Sequence, residues 1–264
     1  PRLWGKPVVL NVDGLEWKRQ KWNWAGKTFY KISEFLATLL PNAIVTDALD
    51  VQRYYMKKFG KSSTFIPYGA PEKGVESRQV LSTFQLQPRD YILYVSRMEP
   101  ENNAHRVIKA FEQVKSDKKL VMVGDAPYSR EYIAALKQTR DPRIIFTGYV
   151  FGQGYRELQS HAYLYIQATE VGGTHPALVE GMGFGNCILA NDVPEHREVL
   201  GNAGIYFSPV DDADLTAKMQ MLIDQPSLVE NLRAIVGKRV REKYSWEKIT
   251  RQYEELFNQV ARLK

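Results

Sequence analysis

The chain has few cysteine and histidine residues that could form disulfide bonds or bind a metal ion. Cys187 is its single cysteine, which excludes an internal disulfide framework and fits a reducing cytoplasm. Because Cys187 lies in the largely apolar run 186–190, we expect it in a buried strand. Its histidines are far apart along the chain and show no metal-ligand spacing; they are His105, His161, His175 and His196. We therefore expect no metal site and no metal cofactor.

Long hydrophobic runs are also absent. No uninterrupted apolar run reaches the roughly 18–20 residues that are needed to span a bilayer, and no signal peptide is visible. The hydrophobic content of 44% and the charged content of 25% are typical of a soluble globular protein. The net charge of +6 is a mild basic excess, which is compatible with anionic lipid or phosphorylated substrates.

Apolar runs and helical patterns alternate along the chain, which is typical of parallel sheets with crossover helices. Strands are predicted at residues 8–12, 43–46, 64–66, 91–96, 120–123, 144–147, 162–167, 187–190 and 205–207. Helices are predicted at residues 24–40, 51–59, 103–115, 131–139, 155–160, 176–182, 215–223, 228–243 and 246–263. In such sheets ligands bind beyond the carboxyl ends of the strands, so functional residues should follow the strands.

A polar segment with weak periodicity, residues 72–87, separates two blocks of alternating elements. Pro71, Gly74 and Pro88 punctuate it, and we interpret it as an interdomain connection. The chain opens at Pro1, which is not an initiator residue, one short turn before the first predicted strand. We therefore expect that an N-terminal portion is absent and that the first domain is incomplete.

The stretch 169–185 carries the most informative pattern. Gly172 and Gly173 follow a predicted strand and allow close approach of a ligand, and Pro176 is favoured in the first turn of a helix. The free N–H groups of that turn and the helix dipole form an anion site. Glu180, one turn further in, can accept both hydroxyls of a ribose. The pattern fits a nucleotide diphosphate site or, equally, an ordinary strand-to-helix connection.

Two further strand ends carry candidate ligand contacts. Arg97 follows the strand at 91–96 and is placed to bind phosphate through its fork of donors, with a surface ion pair as the alternative. Gly148, Tyr149 and Val150 follow the strand at 144–147, where exposed backbone groups can pair with a nucleobase edge. A glycine after a strand is common, so this second signal is weak alone.

Together these motifs and the segment 195–204 resemble retaining glycosyltransferases of the GT-B fold, the glycosyl transferases group 1 family. This family includes sucrose synthases and bacterial polysaccharide transferases. The resemblance covers nearly all of residues 60–264. The stretches 11–19, 100–103 and 172–176 are similar to a bacterial branch associated with rhamnosyl transfer to cell-surface polysaccharides.

The resemblance implies an α/β fold of GT-B type, with two Rossmann-like domains built on parallel sheets and an incomplete first domain. Residues 1–70 would close the acceptor-binding domain and residues 71–245 would form the donor-binding domain. The last helix, in 246–264, would cross back to the first domain. The active site would lie in the cleft between the two domains.

The resemblance also implies roles for individual residues. Arg97 would neutralise the donor diphosphate and Asp13 would contact the donor sugar, while Glu180 would hold the ribose. The other implied donor contacts are backbone N–H groups of Gly172, Gly173 and Thr174, and groups of Tyr149 and Val150 bordering the base.

Two positions depart from the pattern of this family. A lysine is usual five residues after the arginine, where this chain has Asn102, so one positive charge is lost. Among the donor-binding residues, Arg97, the helix terminus and His175 would then bind the diphosphate. The two glutamates of the family usually lie eight apart, whereas Glu170 and Glu180 lie ten apart. The Gly-Gly-Thr-His turn would then replace Glu170 as the sugar-binding group.

The implied chemistry is transfer of a sugar from a nucleotide diphosphate to an acceptor hydroxyl with retention, without a metal or other cofactor. The implied partners are a nucleotide-sugar donor and a glycan or lipid-linked acceptor. Two alternatives stay open, a non-catalytic nucleotide-sugar-binding remnant and an NAD-dependent epimerase-like enzyme. The latter is disfavoured because Gly152-Gln-Gly154 lacks the third glycine of a dinucleotide fingerprint.

The segment 17–31 mixes aromatic and basic residues densely. It fits a helix at the inner face of an anionic membrane, or aromatic core contacts with solvated lysines. No recognition motif supports nucleic-acid binding. Asp212 and Asp214 form the paired-acid motif of metal-dependent transferases, but they directly precede a predicted helix. We therefore interpret them as capping residues.

Overall fold

A computed structural model describes residues 2–19, 22–170 and 172–262. The described residues do not include Pro1, Gln20, Lys21, Val171, Leu263 and Lys264. The predictions made for these positions therefore lie outside the described residues. The described chain forms two parallel sheets with helices between the strands, which confirms the predicted α/β class.

The first sheet is formed by the N-terminal segment and has the strand order β1-β2-β3. Its strands are β1 (Val9–Val12), β2 (Ala43–Thr46) and β3 (Thr64–Phe65). Helix α1 (Trp24–Leu39) begins where the Asn23 side chain accepts from the N–H of Gly26. Helix α2 (Leu49–Phe59) ends at Gly60, whose φ of 63° is the left-handed conformation that favours glycine.

The second sheet has six strands in the order β6-β5-β4-β7-β8-β9. They are β4 (Tyr91–Val95), β5 (Lys119–Val123), β6 (Ile144–Gly148), β7 (Leu164–Gln167), β8 (Cys187–Asn191) and β9 (Ile205–Phe207). The strand order reverses between β4 and β7, and the carboxyl ends flanking such a reversal are the usual place for a ligand. Arg97 follows β4, and the stretch that contains Gly172 follows β7.

Helices cover both faces of this sheet. They are α3 (Gln79–Thr83), α4 (Ala104–Phe111), α5 (Arg130–Leu136), α6 (Gly152–His161), α7 (Pro176–Gly183), α8 (Pro194–Leu200), α9 (Asp212–Asp224) and α10 (Pro226–Lys243). Alternate strand residues enter two separate cores, so Ile92 and Tyr94 pack on one face while Tyr91 and Leu93 pack on the other. Cys187 is fully buried in the first of these cores, as predicted.

Several helices differ from the prediction, among them α3, α4 and α8. Helix α4 ends at Phe111 instead of 115, because the guanidinium of Arg143 binds the carbonyl groups that follow, including that of Val114 at 2.9 Å. Helix α3 was not predicted; the buried Glu157 of α6 accepts from the N–H of Val80 at 2.7 Å. Helix α8 was not predicted either, although Pro194 opens it and Gly201 ends it.

The last helix, α11 (Trp246–Ala261), packs on the first sheet. Ile249, Leu256 and Val260 of α11 share a core with Val45 and Ile66 of the N-terminal segment. None of the helices in the described ranges is both long enough and apolar enough to cross a membrane.

Candidate donor-binding site

A cleft of about 400 Å³ lies where the carboxyl ends of the two sheets face each other. Asp13 and Arg19 follow β1, Arg97 follows β4, and Gly172 precedes α7, and all four line this cleft. The guanidinium and the glycine turn that the sequence indicates as phosphate contacts therefore lie on one cleft. The other lining residues are Asn11, Val12, Gly14, Leu15 and Glu16.

The glycine turn is packed directly against the segment that follows β1. A Cβ on Gly173 would lie 2.5 Å from the carbonyl oxygen of Asp13 and 2.9 Å from Oδ1 of Asp47. A Cβ on Gly14 would lie 3.0 Å from the backbone nitrogen of Gly173. Gly172 has a φ of +147°, which side chains rarely adopt. Glycine is required here because two backbone segments meet without room for side chains.

Thr174 joins the two sheets through a hydrogen bond. Its buried hydroxyl donates to the backbone carbonyl of Asp47, the residue after β2, over 2.7 Å. Helix α7 follows at Pro176, and no side chain of the described residues caps its first turn. The loop that leads from the cleft into α7 is thus held by a contact with the opposite sheet.

Arg97 is oriented by the residues that follow it. Its side chain is 46% exposed, and its Nε lies 3.6 Å from Oε2 of the buried Glu99. Tyr128 donates to the other oxygen of Glu99 at 2.7 Å. The side chain of Asn102 turns back, where its Nδ2 donates to the backbone oxygen of Arg97 at 2.7 Å. Asn102 therefore fixes the backbone that carries Arg97.

His175 and His196 form a pair that sequence reasoning missed. Nε2 of His196 lies 3.0 Å from Nδ1 of His175, and Nδ1 of His196 lies 3.0 Å from the carbonyl oxygen of Asn191. Burial, reinforced by His175, lowers the pKa of His196 to about 3, so its ring is neutral. The two residues lie 21 apart in sequence, and no sequence signal connects them.

Glu180 is held by a chain of side chains on its buried side. Tyr155 of α6 donates to Oε2 of Glu180 at 2.6 Å, and Gln159 donates to the Tyr155 hydroxyl at 3.0 Å. The amide of the buried Asn186 in turn donates to Oε1 of Gln159 at 3.0 Å. Burial, followed by the charge of Glu180, raises the pKa of Tyr155, which remains a donor. The carboxylate of Glu180 is therefore fixed in direction.

The remaining predicted contacts lie at other strand ends. Tyr149 is half-exposed after β6 and stacks on Phe151, with ring centroids 5.5 Å apart, while Val150 packs against the core. Glu170 follows β7 and accepts from the amide of Asn103 at 2.7 Å. Asp13 accepts from the amide of Asn11 at 2.8 Å.

Asp47 is a second acid at this edge that sequence reasoning missed. It is 1% exposed, and within the part of the chain that the structure describes neither of its carboxylate oxygens has a hydrogen-bond partner. Burial, followed by the charge of Asp13, raises the pKa of Asp47 to about 7, while nearby backbone N–H groups act in the opposite direction. The available signal was its position directly after a buried strand, the same signal that singled out Arg97.

The paired acids Asp212 and Asp214 lie in the first turn of α9 and do not cap it, so the predicted capping role was wrong for these two residues. Asp211 caps this helix by accepting from the N–H groups of Ala213 and Asp214, and Asp212 pairs with Arg106 at 2.6 Å. Across the described ranges, no group of three or more acidic, histidine or cysteine side chains is arranged to hold a metal ion.

The comparison with known families agrees with this geometry. The family model described as "Glycosyl transferases group 1" matches residues 89–225, more than half of the chain. The chain belongs to the glycosyl transferases group 1 family. A second model, a domain of unknown function (DUF1972), matches residues 2–71. The predicted resemblance to the group 1 family is thus confirmed, and the rhamnosyl branch stays a prediction.

Curated and solved relatives of this group 1 chain extend the comparison. It is 25% identical over 206 residues to the O-antigen chain mannosyltransferase B of Escherichia coli, covering 76% of this chain. It spans about half, 53%, of the length of that relative.

The similar solved structures share the fold at low identity. The Anabaena protein Alr3699/HepE, in complex with UDP and glucose, superposes with a TM-score of 0.84 at 16% identity, over 97% of this chain and 72% of that one. Sucrose-phosphate synthase from Thermosynechococcus elongatus gives 0.84 at 17% identity, over 100% and 71%. The predicted α/β fold of GT-B type is confirmed.

Proposed function

We propose that the protein transfers a sugar from a nucleotide diphosphate to an acceptor hydroxyl. The observation that carries this proposal is that Arg97 and the Gly172 turn before α7 line one cleft between two parallel sheets. A guanidinium and the N–H groups at the start of a helix together suit a diphosphate. Membership of the group 1 family supports the same activity.

The proposed division of labour follows the two sheets. Residues 1–70 form the acceptor side, residues 71–245 bind the donor, and the helix within 246–264 returns to the acceptor side. The hydrogen bond from Thr174 to Asp47 and the packing of α11 on the first sheet support this division. Both features hold the donor side against the acceptor side.

Each predicted contact takes a place in this proposal. Arg97 and the first turn of α7 neutralise the diphosphate, with the rings of His175 and His196 beside that turn. Glu180 holds the ribose, since Tyr155 fixes its carboxylate. Tyr149 and Val150 border the base. The sugar is contacted by Asp13 and by the backbone of Gly172, Gly173 and Thr174, which replaces Glu170 in that role.

The proposed reaction retains the anomeric configuration. The bond between the anomeric carbon and the diphosphate oxygen breaks, and its electron pair stays on the diphosphate. The acceptor oxygen bonds to the same face of the carbon, and its proton passes to the departing phosphate oxygen. Charge developing on the diphosphate is stabilised by donors that are already in place. We propose that no metal is required.

The relatives suggest which substrates to try. One similar structure contains UDP-glucose, and the Escherichia coli relative is an O-antigen chain mannosyltransferase. We propose a hexosyl or rhamnosyl donor and a glycan or lipid-linked acceptor in cell-surface polysaccharide synthesis. The configuration of the product, measured by proton NMR, tests retention.

A site of action at the cytoplasmic face of an anionic membrane belongs to the proposal. Helix α1 exposes a row of large apolar side chains that includes Trp24, 81% exposed, and Phe29, Ile32, Phe35 and Leu39. Lys27 and Lys31 lie on the same helix. Apolar and basic groups side by side suit an anionic headgroup layer. Co-sedimentation with phosphatidylglycerol vesicles but not with phosphatidylcholine vesicles is the expected result, and equal pelleting would refute the membrane contact.

Donor binding is tested by thermal unfolding in the presence of UDP, GDP and dTDP and their sugars. A ligand at 100 times its dissociation constant adds about 2.7 kcal/mol to the free energy of unfolding. We expect one nucleotide series to raise the unfolding temperature. If none does, and calorimetry detects no binding at millimolar concentration, the proposed function is wrong.

A further inference from the structure

Arg19 is a second guanidinium on the cleft that contains Arg97. It lies after the short helical turn Glu16–Lys18, on the side of the first sheet, whereas Arg97 comes from the second sheet. The side chain of Arg19 is only 11% exposed, and its exposed part lines the cleft with Gly172. The two arginines thus approach the same space from opposite sides.

One buried carboxylate holds both guanidinium groups. Oε2 of Glu99 lies 3.4 Å from Nη1 of Arg19 and 3.6 Å from Nε of Arg97. Glu16 binds Nε of Arg19 at 2.8 Å, and Glu101 lies 3.9 Å from its Nη1. The negative charge of Glu99 offsets the repulsion between the two arginines, so they can lie near each other. A shared acceptor behind two guanidinium groups leaves other N–H groups of each fork for a ligand.

The charge of the cleft also indicates a role for Arg19. A sugar nucleotide carries more than one negative charge on its diphosphate, and Arg97 supplies a single positive charge. Asn102 supplies none, and its amide is bonded to the backbone of Arg97. Among the lining residues that the structure describes, Arg19 and Arg97 are the basic ones. Glu16 lines the cleft beside Arg19, whereas Glu99 and Glu101 are buried. The hydrogen bonds that Arg19 donates to Glu16 and Glu99 use its Nε and Nη1.

We propose that Arg19 is the second cation that binds the donor diphosphate, reaching it across the cleft from Arg97. This inference rests on the proposed function. Because Arg19 and Arg97 belong to different sheets, a diphosphate bound by both joins the acceptor side to the donor side.

The test is selective loss of diphosphate affinity in Arg19→Gln, measured by calorimetry at one fixed salt concentration. UDP, GDP and dTDP are the probes, each compared with its monophosphate and its nucleoside. A lost charge-assisted hydrogen bond predicts about tenfold to hundredfold weaker diphosphate binding. We expect a clearly smaller loss for the monophosphate and little change for the nucleoside. The control is Lys18→Gln, which removes the neighbouring exposed cation and should leave all three affinities unchanged.

A second variant keeps the test decisive if Arg19→Gln does not fold. Arg19→Met preserves the aliphatic packing of the side chain, and circular dichroism establishes that the variant is folded. A folded variant that binds the diphosphate as tightly as the wild type overturns the inference and leaves the proposed function standing. An equal loss for diphosphate and nucleoside also overturns it, since Arg19 would then act on the fold. Failure of the wild-type chain to bind any of the three diphosphates overturns the proposed function itself.

Discussion

Nδ1 of His175 lies 3.0 Å from Nε2 of His196, so the residue before α7 is held by a buried ring from α8. The carbonyl of Asn191 can only accept, so Nδ1 of His196 carries its hydrogen and Nε2 accepts from His175. This chain of bonds sets the orientation of the His175 ring beside Gly172. The start of α7 therefore depends on a residue that does not line the cleft.

Replacing His196 is expected to affect both stability and ligand binding. In His196→Ala the carbonyl of Asn191 and the N–H of His175 lose their buried partner, at a cost of about 1–3 kcal/mol in the free energy of unfolding. Diphosphate affinity should fall several-fold because the His175 ring is released. Urea unfolding and calorimetry measure the two effects. The control is His161→Ala, which removes a half-buried histidine bonded to the carbonyl of Ser77, and an equal loss of diphosphate affinity there would contradict the specific role of His196.

The buried His196 also predicts an acid dependence of stability. Its pKa is lowered to about 3 by burial and by His175, whereas an unfolded histidine titrates near about 6.5. As pH falls from about 6.5 towards about 3, the unfolded chain takes up a proton that the folded chain does not. The free energy of unfolding should therefore decrease with acidification in this window. His196→Ala should show a shallower decrease, and parallel curves for both proteins would refute the assignment.

Asp47 predicts a dependence of opposite sign. Burial and Asp13 raise its pKa to about 7, whereas an unfolded aspartate titrates near about 3.9. Between these values the folded chain holds a proton that the unfolded chain has released, so this group lowers stability as pH rises from about 4 to 7. Asp47→Asn should be more stable than the wild type at about pH 8 and similar near pH 5. Urea unfolding of the wild type and of Asp47→Asn at both pH values tests this prediction, and Asp50→Asn is the control.

Thr174→Val tests the contact that joins the sheets. The substitution keeps the shape of the side chain but removes its bond to the carbonyl of Asp47. We expect a loss of about 1–2 kcal/mol, since the carbonyl is left without its donor. Chemical denaturation measures this loss. The control is Thr83→Val, where an exposed hydroxyl bonds within its own helix, and a comparable loss there would indicate a general effect of valine.

Sequence patterns predicted the α/β class and all nine strands of the described residues, because buried parallel strands are short apolar runs between turns. Helix ends were predicted less well when the partner came from a distant segment. Helix α2 begins at Leu49, two residues before its predicted start, where the carboxylate of Glu198 accepts from the Leu49 N–H. Nothing near position 49 in the sequence indicates a partner 149 residues away.

The site shows the same limit. Arg97 and Gly172 were singled out because each follows a strand, and the topology brings such positions to one edge. Asp47 carries the same signal and was overlooked. Two pairs of residues, His175 with His196 and Arg19 with Glu99, depend on how segments distant in the sequence meet in the fold. Contacts of this kind have no local pattern in the sequence.

Tyr155→Phe tests how Glu180 is positioned. The hydroxyl of Tyr155 is the donor that fixes one oxygen of this carboxylate. Without it, we expect UDP or GDP to bind about 3- to 10-fold more weakly, the effect of one hydrogen bond. Binding of the corresponding free base should not change. Calorimetry measures these affinities, and Tyr128→Phe, which removes a donor to Glu99 near Arg97, is the comparison variant. Unchanged affinity of Tyr155→Phe for UDP and GDP would contradict the proposed contact between Glu180 and the ribose.

Arg97→Ala is the most direct test of the diphosphate site. The side chain is half-exposed, and its ion pair with Glu99 is long, at 3.6 Å. Its removal should therefore change the free energy of unfolding by less than about 1 kcal/mol. Transfer should nevertheless slow by about 100-fold or more, since charge developing on the diphosphate loses a preorganised donor. Arg97→Lys should recover part of the rate, as it restores the charge without the fork. The control is Arg251→Ala, which removes an exposed arginine of α11 and should leave the rate of transfer unchanged. An unchanged rate in Arg97→Ala would exclude Arg97 from the reaction.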